Sequence, residues 1–145
     1  MTQDVQEYID NCIFKDLPNN LLHIKNERHY LALFLDKFNE STGIRFECGS
    51  GWIPILLEMD KKLTYLDPHY SLSQVKEKFG FLRVYADLSI DYLDNPQYHI
   101  ISELFFDTIA LASHKSRNTC EICGSHAQLV SRNGWYRVRC DEHDK

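Results

Sequence analysis

The chain has 145 residues, 43% of them hydrophobic and 12% aromatic, the composition of a folded globular protein with room for one ordinary core. That excludes an intrinsically disordered chain. The longest apolar runs, at 53–57 and 104–106, are far too short to span a bilayer. The formal net charge of −5 argues against a general nucleic-acid binder, because phosphate contacts need a positive surface.

The first elements are helical. Val5, Tyr8, Ile9, Cys12 and Ile13 fall at helical spacing, and Pro18 ends the segment. A second helix follows Asn26, with Tyr30, Leu31, Phe34, Leu35 and Phe38 on one face and Thr42-Gly43 closing it. Residues 44–48 alternate as in a short strand. Gly49-Ser50-Gly51-Trp52 reads as a turn, too isolated to count as a phosphate-cradling loop. Pro54 suits the first turn of a helix running to about Leu66, with Leu56, Met59, Leu63 and Leu66 facing inward, and Asp67-Pro68 breaks it.

Residues 81–86 are rich in aromatic and branched side chains and predict a strand. Residues 71–78 are its expected antiparallel partner across Phe79-Gly80, a short helix there being the alternative. Along such strands Lys76 and Lys78 share one face, as do Arg83 and Tyr85. Asn95-Pro96 reads as a helix start, with Ile101, Leu104, Phe105, Thr108 and Ala112 lining one face of a helix to about Lys115. Residues 116–118 form the only evident linker.

The strongest motif lies beyond that linker. Cys120-Glu121-Ile122-Cys123 and Cys140-Asp141-Glu142-His143 are two pairs of soft ligands, and each pair is separated by two residues. Two residues between ligands let both reach one ion from a single tight turn, and two such turns complete a tetrahedral zinc shell. Gly124 stands where a zinc knuckle often needs positive φ. Between the pairs, Leu129-Val130, a turn at Asn133-Gly134 and 135–138 predict a hairpin. Four protein ligands leave no position for a catalytic water. Although Asp141, Glu142 and Asp144 flank His143, the simplest reading is one closed, structural zinc ion. Of the five cysteines, Cys12 and Cys48 remain and read as reduced core thiols. No leader segment is evident, and the expected location is cytoplasmic.

Taken in order, Gly51-Trp52, the segment QVKEKFGFLRVY at 74–85, Cys120 to Gly124, and Gly134-Trp135 leading to Cys140 and His143 form a recognisable set. This set resembles a group of small bacterial and phage-borne proteins with a C-terminal zinc ribbon. The resemblance spans about 51–143 and implies a prokaryotic or mobile-element setting. It carries over the four metal ligands and no activity. The expected fold is α+β: helices packed on a small antiparallel sheet as a body over 1–115, and a zinc-ribbon hairpin over 116–145 docked on it.

Two surfaces compete for function. Asp87, Asp91, Asp94, Glu103 and Asp107 form a stretch without Lys or Arg. Such a stretch serves as a solvated face or attracts a basic partner. Trp135, Arg132, Arg137 and Arg139 on the hairpin could instead stack and pair with nucleic acid. The favoured role for the aromatics there is to dock the hairpin on the body. Without a nucleophile motif or dinucleotide fingerprint, the expected function is a non-catalytic protein-binding protein. An immunity protein that caps a basic toxin domain through the acidic stretch would be of this kind. The alternatives are a nucleic-acid-binding ribbon and, more remotely, a degenerate zinc-ribbon nuclease.

Overall fold

The computed structural model describes residues 45–144 of the chain. The two helices expected before residue 44, and Cys12 with them, lie outside the described residues. The first described elements are β1 (Arg45–Glu47), a 3-10 turn over Ser50–Trp52, and α1 (Ile53–Leu66). Pro54 occupies the first turn of α1, where its missing N–H leaves no helical bond unmade. Leu56, Met59 and Leu63 are buried and Leu66 packs at the edge of the core, as their spacing predicts. Asp67 ends the helix in an extended conformation that the following Pro68 favours.

Beyond it lie β2 (Ser71–Lys78) and β3 (Phe81–Asp87), paired antiparallel with Lys78 opposite Phe81. Phe79 (φ 53°) and Gly80 (φ 90°) make a two-residue turn whose left-handed conformation matches the twist of the strands. The strand reading of 71–78 therefore holds over the helical alternative. Leu72, Val75, Leu82 and Ala86 enter the core. Register places Lys76 opposite Arg83 and Gln74 opposite Tyr85 on the other face.

The sheet order is β1-β2-β3, with β1 parallel to β2 and Phe46 opposite Val75. Parallel neighbours need a crossover, and α1 supplies it. The antiparallel hairpin thus carries the short strand expected at 44–48 as a parallel edge, a pairing that local sequence did not signal.

The second helix, α2 (Tyr98–Ser116), starts later than Asn95-Pro96 suggested. Asn95 instead builds a turn ahead of it, its side-chain oxygen accepting the Gln97 N–H at 2.8 Å. Phe105 and Ala112 are buried as expected, and the Phe105 ring meets the edge of Tyr70. Leu104, expected inside, is half exposed. Ser116 is fully buried, and its hydroxyl accepts the Leu82 N–H at 3.0 Å.

The chain ends in the hairpin of β4 (Gln128–Arg132) and β5 (Trp135–Arg139). Asn133 and Gly134 take the left-handed turn between them. Cys120, Ala127 and Val138 belong to the same buried cluster as Trp52, Leu63 and Phe105, so the hairpin shares the core of the helices and sheet. Among the described residues, no helix is long and apolar enough to cross a membrane.

Candidate metal centre

Two tight turns build the centre. In the first, the Gly124 N–H returns to the Cys120 carbonyl at 2.9 Å, and Gly124 takes φ 82°, a conformation glycine reaches without strain. In the second, the N–H groups of His143 and Asp144 both return to the Cys140 carbonyl at 3.0 Å. The β4–β5 hairpin sets these turns face to face. Candidate ligand atoms of Cys120, Cys123, Cys140 and His143 then all lie within 4.8 Å of one another.

The Cys123 and Cys140 sulfurs are 3.7 Å apart, and His143 Nδ1 lies 3.7 Å from Cys120 Sγ and 3.1 Å from Cys140 Sγ. Ordinary zinc–sulfur and zinc–nitrogen bond lengths give tetrahedral edges of about 3.8 Å between sulfurs and about 3.6 Å from sulfur to nitrogen. The cluster therefore has the size of one tetrahedral metal ion. Cys120 is buried and the other three ligands are partly so. Burial pushes the Cys120 thiol up. At Cys140 loss of hydration opposes ionisation too, but hydrogen bonds with Ser125, His143 and Cys123 outweigh it and bring the thiol down to about 6. Ser125 also places its hydroxyl 2.9 Å from Cys123 Sγ.

The body provides a seat that the sequence reading passed over. The Gly51 N–H donates to the Glu121 carbonyl at 2.7 Å, and the Trp52 indole N–H donates to the Thr119 carbonyl at 2.8 Å. A Cβ on Gly51 would stand 2.1 Å from the Cys120 carbonyl oxygen, and one on Gly49 would stand 2.3 Å from that of Glu121. Gly49 has φ −76°, so it is glycine for room and not for backbone freedom. Two glycines bracketing one serine directly before a tryptophan were the available signal.

Glu121 closes the seat. Its N–H donates to the Val138 carbonyl at 3.1 Å. Burial raises its carboxyl, Arg139 at 3.8 Å and the Gly49 backbone pull it back, and the charge of Glu77 adds to the rise.

The acid that follows His143 is held by arginine side chains of the hairpin. Asp144 takes a two-pronged contact from Arg132, at 2.8 and 3.0 Å, and Arg132 also donates to its backbone carbonyl at 2.9 Å. Arg137 approaches the same carboxylate at 3.6 Å. The three arginines that could have met phosphate thus each face an acid of the chain. Trp135 is 77% exposed and does not dock the hairpin, contrary to the role favoured for it. Val138 does so, together with the Gly80 turn, where a Cβ would meet Leu129 Cδ1 at 2.7 Å.

All five acidic candidates are exposed. Asp87 accepts the Ser73 hydroxyl at 3.0 Å, and Asp91 accepts the Leu93 N–H at 3.1 Å. Glu103 and Asp107 lie one turn apart on α2, and Asp94 sits in the turn before it. Cys48 lies beside Glu121 and Glu77, and burial first, then those charges, push its thiol up, the reverse of what a nucleophile needs. An open cleft of about 790 Å³ flanks the metal cluster and carries His126, Asp141 and Glu142, all exposed. Comparison with protein-family models, with curated proteins and with solved structures finds no match.

Proposed function

We propose that the chain is a non-catalytic zinc protein that works by binding another protein, in the manner of an immunity protein capping a basic toxin domain. The observation that carries the first half is the closed donor set. Three sulfurs and one imidazole nitrogen at tetrahedral spacing suit zinc, and they leave no coordination position for substrate or water. Zinc there serves to hold the hairpin on the body.

The second half rests on charge. Asp87, Asp91, Asp94, Glu103 and Asp107 stand exposed, and no ion pair engages them among the described residues. Arg132, Arg137 and Arg139 are already matched to Asp144 and Glu121, which weakens the nucleic-acid alternative. An acidic surface of this kind speeds and orients encounter with a basic partner.

The test is parallel affinity capture from nuclease-treated bacterial lysate, using the wild-type chain and a variant with Asp91, Asp94, Glu103 and Asp107 all changed to Lys. One stoichiometric protein retained by the wild type and lost by the folded variant is the expected result. Equal retention by both, or loss of every partner on nuclease treatment, would contradict the reading.

A further inference from the structure

The outer edge of β3 is open among the described residues. Sheet order ends at this strand, and no backbone bond reaches Val84 or Ala86 from beyond it. In an antiparallel pair, successive residues point their N–H and C=O groups alternately toward and away from the partner. Leu82 points away from β2, because its N–H reaches the Ser116 hydroxyl. Val84 and Ala86 share that outward direction. Leu82 is already satisfied, so the edge offers two residues for pairing. A groove of about 420 Å³ runs beside them, between β3 and α2, lined in part by Phe106, Ile109 and Ala110. Phe106 is half exposed there.

What fits this edge is written in the strand itself. Arg83, Tyr85 and Asp87 share the solvent face and are all exposed. An antiparallel copy related by a two-fold axis at Tyr85 sets Val84 opposite the copy's Ala86, so both residues that offer backbone groups are used. The same axis sets Arg83 directly opposite the copy's Asp87, twice by symmetry, and brings the two Tyr85 rings together. Shifting the axis to Arg83 would oppose like charges. Shifting it to Val84 would require the Leu82 N–H that Ser116 holds. Shifting it to Ala86 would pair Val84 with Leu88, beyond the end of the strand. Charge, hydrogen bonding and strand length thus select one register, and an isologous contact of this sort closes as a dimer.

We propose that the chain forms a two-fold dimer by antiparallel pairing of β3 with β3 of a second copy, centred on Tyr85. The joined sheet has six strands, and the pairing removes an open edge that would otherwise invite uncontrolled association. It also covers the groove at Phe106 and Ile109. Of the five exposed acids only Asp87 is used; Asp91, Asp94, Glu103 and Asp107 stay free, so the dimer does not rest on the partner-binding reading.

Sedimentation equilibrium of the full zinc-loaded chain tests this, with Arg83→Glu, Asp87→Lys and the double variant measured alongside. The wild type is expected at twice the 17.1 kDa chain mass. Each single change puts like charges opposite each other at two places and should weaken association by about tenfold or more. The double change re-creates both pairs and should restore the dimer, which distinguishes an interface effect from misfolding. A wild-type monomer, a dimer indifferent to Arg83→Glu, or a double variant as weak as the singles would each overturn the proposal.

Discussion

At the scale of single residues, the Cys3His cluster depends on atoms that are missing as much as on those that form it. Gly51 touches the backbone of the first knuckle so closely that one added carbon would overlap the Cys120 carbonyl oxygen, at 2.1 Å. The neighbour is backbone and cannot rotate away, so the knuckle itself must move. Gly51→Ala should therefore destabilise the chain by about 3 kcal/mol, the upper end of overpacking costs, and should weaken zinc retention with it. Thermal unfolding followed together with zinc release checks both effects. Stability within experimental error of the wild type would show that the knuckle is not seated on this turn. Trp52 works in the opposite sense, filling the core while its indole N–H holds the Thr119 carbonyl. Mere composition marks such a tryptophan as core, and nothing local reveals that its nitrogen ties down the metal-binding segment.

At the scale of elements, what was legible in the sequence was what is decided locally. Pro54 and the spacing of Leu56, Met59 and Leu63 signalled α1, and Phe79-Gly80 and Asn133-Gly134 signalled two hairpins, because neighbouring residues fix those structures. Two residue pairs, each with a two-residue interval, signalled the Cys120, Cys123, Cys140 and His143 cluster for the same reason. The pairing of β1 with β2 could not be read, since three residues carry no pattern that chooses a partner and the choice is made by the α1 crossover. The Gly49–Gly51 seat left only its two glycines as a sign, since what they sit against is a segment about 70 residues away.

Asp67 shows how such distant joints are made. Buried at the end of α1, it accepts the N–H and hydroxyl of Ser89, both at 2.6 Å, and the His69 N–H at 3.1 Å, so it fixes the loop that leaves β3. Burial would raise its carboxyl, but these bonds outweigh it and hold the group below its ordinary value. The folded pKa is depressed. Its contribution is therefore complete above about pH 4, where the unfolded group ionises, and fades as pH falls through the lower folded value. Asp67→Asn keeps the shape but turns an amide toward donors, and should cost about 1–3 kcal/mol at neutral pH. The difference between variant and wild type should shrink in acid. A difference that stays constant down to pH 2 would contradict this role.

At the scale of the whole molecule, the C-terminal segment has little core of its own. Cys120, Ala127 and Val138 are its buried apolar residues, while Leu129 and Tyr136 are about half exposed and Trp135 is largely in solvent. In the proposed zinc-bound state, a segment of this size gains its order from metal ligation coupled to folding, worth roughly 10–16 kcal/mol for structural zinc in small domains. Bonds from Gly51 and Trp52 then anchor that ordered unit to α1, and Arg132 fastens the residue next to His143. Removing zinc with a chelator should free the hairpin while α1, β2, β3 and α2 keep their order. The most direct measurement of the whole account is the zinc-to-protein ratio of freshly purified chain, by elemental analysis, for the wild type and for Cys123→Ser. One zinc per wild-type chain, with zinc lost or greatly reduced in the variant, is the predicted result. A folded wild-type chain that carries no zinc would contradict it.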